Sequence, residues 1–159
     1  DVLRFITTFD AVGRSGRSLR EVWEDDNAKA YIGTVIPDFP NFFTLYGPNL
    51  QPGHGGSLIF VVEMQVNYIM SLIAQMAEQG LGAVEIRQDV HDAYNERVDA
   101  EHENMVWTHP GMTTYYRNDR GRIVVNSPYR NVDYFAWTRH ADLAEYVTEP
   151  VSAEEKVQA

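Results

Sequence analysis

Asn41-Phe42-Phe43-Thr44-Leu45-Tyr46-Gly47-Pro48-Asn49, followed after three intervening residues by Gly53-His54-Gly55-Gly56-Ser57, is the stretch that decides how this chain folds. It reads as a short buried strand over residues 42–45, a glycine-rich turn, and the start of a helix. A helix start presents backbone N–H groups and the positive end of the peptide dipole, so it suits anionic or electron-rich atoms. The glycines allow close approach of the backbone and positive φ, and Ser57 has the chemistry of an N-cap. Many ordinary tight turns are also glycine-rich, so the rest of the chain must separate a turn from a ligand site.

Downstream, the pattern predicts one long helix from Ser57 to about Gln79, ending at Gly80. Leu58, Ile59, Phe60, Val61 and Val62 are apolar on every face, which predicts burial. Glu63, Gln65, Asn67 and Gln75 interrupt the run, making it too polar for a membrane span of about 20 predominantly apolar residues. Residues 83–87 alternate as a strand, and Asp89 is placed to cap a second, surface helix with Val90, Tyr94, Val98 and Met105 as its apolar stripe. Beyond His109-Pro110-Gly111, residues 112–116 and 123–125 read as strands joined by a turn at Asn118-Asp119-Arg120-Gly121. The aromatic-rich segment 131–139 is expected to pair with or pack on them, and residues 149–159 to form a frayed polar tail.

Upstream, residues 2–8 (VLRFITT) read as a strand closed by Phe9-Asp10, and residues 11–17 as a loop. Residues 18–23 read as a helical turn with Leu19, Val22 and Trp23 inward. Residues 31–36 form another extended piece, and Pro37 and Pro40 bracket a turn. Strands and helices mixed in this way make an α/β chain.

With 13 basic and 23 acidic residues the net charge is −10, which disfavours a general role on nucleic acid or an anionic membrane. No cysteine is present, so disulfides and thiolate metal sites are excluded, and the cytoplasm is the default location. The 44% hydrophobic content suffices for a core. The sequence starts at Asp1 inside an apolar segment rather than in a signal peptide, as a cut through a larger domain would.

Few residues present catalytic chemistry by spacing. His91 and His102 are eleven residues apart, about three turns, too far to share an ion, and the surrounding acids read as a solvated helix face. No metal site and no catalytic residue is assigned. No G-x-S-x-G elbow, G-x-G-x-x-G fingerprint or P-loop is present. Glu63 is read as a satisfied buried or boundary carboxylate, and Arg14, Arg17 and Arg20 as a solvated loop, with a phosphate-holding cluster as the rival reading.

The ordered motifs narrow the choice. The opening Asp1-Val2-Leu3-Arg4-Phe5-Ile6-Thr7-Thr8-Phe9-Asp10, then Ser18-Leu19-Arg20-Glu21-Val22-Trp23, Tyr31-Ile32-Gly33, Phe39-Pro40-Asn41-Phe42-Phe43 and Tyr46-Gly47-Pro48-Asn49 follow one another over about a hundred residues. Together with the Gly-His-Gly-Gly-Ser loop they resemble the C-terminal portion of flavin-containing Baeyer–Villiger monooxygenases, most closely the 4-hydroxyacetophenone monooxygenase type. Ile6-Thr7-Thr8 stands where the family has Ala-Thr-Gly, and Met112-Thr113-Thr114 where a tryptophan-containing strand is expected.

The resemblance implies a C-terminal part of an FAD-binding Rossmann-like domain, residues 1–56. A long flavin-facing helix with a helical and small-strand extension would follow over residues 57–148, then the tail over 149–159. It implies FAD contacts from Thr7, Thr8, Phe9, Asp10, Gly47, Pro48, Asn49, Ser57 and Leu58, and a substrate side lined by His54, Gly55 and Gly56. Members use FAD and NADPH to insert oxygen next to a ketone or aldehyde carbonyl. On this reading the dinucleotide motifs lie upstream of Asp1, so the chain alone is inactive and its partner is the remainder of the monooxygenase chain. Without that partner, the apolar start of the long helix would be exposed and drive self-association. The rival is a non-catalytic interaction module of the same fold without flavin.

Overall fold

The computed structural model describes residues 3–5, 8–53 and 55–152. Its elements in order are α1 (Leu19–Val22), β1 (Gln51–Pro52), α2 (Leu58–Gln79), β2 (Leu81–Ile86), α3 (Gln88–His102), β3 (Asn126–Ser127), α4 (Asn131–Trp137) and β4 (Tyr146–Pro150). β1 pairs in parallel with β3, and β2 pairs antiparallel with β4.

α2 organises the core. Ser57 caps it by accepting from the Phe60 amide at 3.4 Å, and Gly80, at φ 64°, ends it. Val61, Met64, Gln65, Tyr68 and Leu72 form its buried stripe, packed against Val84 and Ile86 of β2, Tyr94 and Val98 of α3, and Tyr134 and Tyr146. A smaller cluster joins Leu19 and Trp23 to Ile36, Phe39 and Val124. There α1 is closed by a capping box in which Ser18 and Glu21 satisfy each other's backbone amides.

The all-round burial expected of the α2 start is corrected: Leu58 is 47% and Ile59 70% exposed, and Glu63 is exposed as well. Only one face meets a neighbour. By length and hydropathy (mean 1.4) α2 also meets the test for a membrane span, against the expectation from its polar residues. Those residues nevertheless tie it to the folded chain: Asn67 donates to the Thr138 carbonyl and Gln75 to that of Ala141.

Several expected strands are absent among the described residues, each because an extended segment needs a ladder partner. Residues 3–5 and 8 show turn and bend instead of strand. Residues 31–36 form a tight turn, with Tyr31 bridged to Val35 and Ile32 and Gly33 at φ 43° and 66°. Residues 42–45 join no strand ladder and lie between Asn41 and Tyr46, both at positive φ. Residues 112–116 form no strand, and only Arg117, just after them, bridges to Ile123 across the expected turn. Val124 and Val125 instead accept from the Asn49 and Gln51 amides, beside the β1–β3 ladder. The segment 131–139 contains helix α4, not a strand, and Arg87 rather than Asp89 is the N-cap of α3. Glu149 and Pro150 belong to β4, so any polar tail starts later; residues 153–159 lie outside the described residues.

Candidate functional site

Two hollows meet at Tyr46. One, of about 300 Å³, is walled by Phe5, Phe9, Trp23, Phe42 and residues 43–47. The other, about 470 Å³ and open, lies between Tyr46 and the first two turns of α2: Leu58, Ile59, Val62, Glu63 and Val66. Gln65 explains why Tyr46 stands there. Fully buried on the inner stripe of α2, it accepts from the Tyr46 amide at 2.7 Å and donates to the Gly33 and Thr44 carbonyls, both at 3.1 Å, and to Thr34 Oγ1 at 2.9 Å. One side chain thus locks the 31–35 turn and the 44–46 segment onto the helix. Gly47 is required by close approach, since a β-carbon would overlap the Gly33 carbonyl.

The residues expected at the cofactor divide by place. Phe9 and Gly47 line the first hollow and Leu58 the second. Ser57 caps α2 and satisfies one first-turn amide, while the Leu58 and Ile59 amides have no partner among the described residues. Thr8 and Asp10 are exposed, Asp10 accepting from the Ala11 and Arg20 amides. Pro48 and Asn49 turn inward. Asn49 Nδ2 donates to the Ile123 and Asn126 carbonyls, and its Oδ1 accepts from Arg122 at 3.0 Å, so that side chain is a structural tie. Gly55 and Gly56 are exposed at φ 99° and 120°. Thr7 and His54 lie outside the described residues.

Elsewhere, a hollow of about 520 Å³ beside the end of α3 holds Asp99, His102, Arg117 and Arg122. Arg122 is paired with Asp99 at 2.8 Å and donates to the Ala28 carbonyl. His102 accepts the Trp107 indole N–H on Nδ1 at 2.9 Å. Burial, aided by the Arg122 charge, holds its pKa down at about 4, with Asp99 and the Asn126 carbonyl pulling the other way. Among the described residues no group of three or more His, Cys, Asp or Glu could hold a metal ion.

Sequence reasoning named Tyr46 but missed Gln65, whose signal was legible: an amide on the buried stripe of an apolar helix needs partners. It also missed Asn126 and Asn131, which lie under the glycine loop and are placed there by β3 and α4, neither of which was expected.

No protein-family model matches the chain. It is 50% identical over 150 residues to an uncharacterized monooxygenase, y4iD, of Sinorhizobium fredii, covering 94% of this chain and 23% of that protein. It is 32% identical over 144 residues to a Baeyer-Villiger monooxygenase of Pseudomonas aeruginosa and 34% over 145 residues to one of Streptomyces coelicolor, covering 27% and 28% of them. The chain therefore spans about a quarter of the length of these relatives. Solved structures share the fold. An oxidized steroid monooxygenase bound to NADP matches with a TM-score of 0.74 at 22% identity, over 89% of this chain and 27% of that one. OTEMO in complex with FAD and NADP matches at 0.69 and 19% identity, over 86% and 25%. The resemblance read from the motifs is borne out.

Proposed function

We propose that this chain, a relative of the Baeyer–Villiger and FAD-binding monooxygenases over about a quarter of their length, is the C-terminal portion of such an enzyme and forms one wall of its flavin and substrate pocket. The observation that carries this is the place where the Leu58 and Ile59 amides, without a partner among the described residues, meet an apolar wall built on Tyr46. A planar, electron-rich ring needs both: apolar surface for its face and N–H donors with a positive dipole for its edge.

FAD fits these residues, and when bound it supplies the redox and oxygen-transfer chemistry, with NADPH as reductant. The chain's own residues bind and orient. Phe9, Tyr46 and Gly47 exclude water from one side, and the Ser57–Leu58 amides face the ring. As the resemblance implies, His54, Gly55 and Gly56 border the space for a small carbonyl substrate. Residues 1–56 close the FAD domain, and the remainder of the parent chain, working in the cytoplasm, supplies the dinucleotide sites.

The test is to express the protein from its complete natural reading frame and record its absorbance and NADPH oxidation in air. A yellow product that oxidises NADPH and oxygenates a ketone or aldehyde is expected. A product that stays colourless with added FAD overturns the reading in favour of a flavin-free interaction module, for which the exposed apolar face of α2 is already suited.

A further inference from the structure

The glycine loop lies against two asparagine amides that make no hydrogen bond among the described residues. Asn126, on β3, is 1% exposed, and among the described residues neither its Oδ1 nor its Nδ2 has a hydrogen-bond partner. A β-carbon at Gly53 would lie 3.5 Å from that Nδ2 and 2.6 Å from the Trp107 ring, so amide and indole together form the floor under this end of the loop. Asn131, the first residue of α4, stands under the other end. A β-carbon at Gly56 would overlap its Nδ2, and its side chain makes no hydrogen bond among the described residues. The Phe60 and Phe135 rings, 6.4 Å apart and nearly parallel at 17°, tie the first turn of α2 to the same helix. Gly55, between them, has nothing within 4 Å of a β-carbon position and serves the backbone through its φ of 99°.

A buried amide left unpaired at both its donor and its acceptor, as in Asn126, is rare in native proteins and calls for a partner. Gly53 and Gly56 are the loop positions that come close to these amides. We propose that Asn126 and Asn131 are positioning residues for the glycine loop. In the flavin-loaded parent enzyme their amides take backbone groups of the loop at Gly53 and Gly56 as partners, fixing the loop and the first turn of α2 against the ring. This rests on the flavin reading above. It also gives Gly53 and Gly56 a second reason to be glycine, since any side chain would lift the loop off its two amides.

The test is hydrogen exchange, read by mass spectrometry, on the full-length protein with and without FAD, in the wild type and in Asn131→Ala and Asn126→Ser. In the wild type, peptides covering residues 53–61 should gain at least tenfold protection on flavin loading. In Asn131→Ala that gain should be lost and the flavin absorption band shifted, while β2–β4 peptides exchange as in the wild type. Asn131 is half-buried at a helix start, so its variant carries the test if Asn126→Ser does not fold. A yellow Asn131→Ala protein with the wild-type protection gain and spectrum overturns this inference alone. A wild type that never binds flavin overturns the flavin reading and this inference with it.

Discussion

Gln65 makes four hydrogen bonds from a position that a hydrophobic pattern assigns to a leucine, and it joins three segments distant in sequence. Gln65→Leu keeps the volume and orphans the Tyr46 amide and the Thr44 carbonyl, while the Gly33 carbonyl keeps the Thr44 hydroxyl. It should cost about 3 kcal/mol, the upper end for unsatisfied buried groups, read from urea unfolding. A change under about 0.5 kcal/mol, typical of a surface site, would mean the network carries no stability. His102 makes a pH prediction. Its Nδ1 is occupied by the Trp107 N–H and it lies buried beside Arg122, so the folded protein resists charging it until about pH 4, against 6.5 for a free imidazole. Between those values the unfolded chain binds the proton and the folded chain does not. Stability contributed by neutral His102 is therefore complete above pH 6.5, declines as pH falls toward 4, and changes no further below it. Melting temperatures measured from pH 7 to 4 should fall in the wild type and fall less in His102→Gln; parallel slopes would refute the assignment.

At the scale of elements, α2 is the piece whose start matters. Ser57→Ala removes the cap and should destabilise by about 1 kcal/mol. Ser57→Asp retains a cap and adds a negative charge at the positive end of the helix dipole, so the fold should hold its stability. In the parent enzyme that charge would face reduced flavin, and the flavin reduction potential should drop in Ser57→Asp but not comparably in Ser57→Ala. Equal potentials in a redox titration would show that the helix start points elsewhere. α2 and its Gly80 stop were legible because cap, apolar run and stop agree along one continuous segment. The strands were not. Residues 42–45 and 112–116 have strand composition, but pairing depends on what lies alongside, and β1 found its partner 75 residues later at β3.

At the scale of the molecule, Ile59, Val66, Met70 and Ile73 are exposed along the outer face of α2, from 42% to 70%. The isolated 159-residue chain should therefore self-associate, and Ile59→Lys with Met70→Lys should return it to a monomer in sedimentation velocity, leaving the fold unchanged. A wild-type chain monomeric at high concentration would refute this. The expectation follows from apolar area beyond what monomeric surfaces carry, and it fits a chain that spans a quarter of its relatives.

Kinship and the glycine loop could be read from the order of residues, because motifs and caps are local and survive without any knowledge of packing. Asp1 to about Val106 carries enough ordered motifs to indicate a flavin monooxygenase relative. Which face of α2 is buried, which asparagines lie under the loop, and where Gln65 finds its partners depended on contacts between segments tens of residues apart. Asn49 shows the division most plainly. Its motif suggested a ligand contact, and packing turned its amide inward to Ile123, Asn126 and Arg122, because a buried amide binds whatever polar groups the fold brings to it.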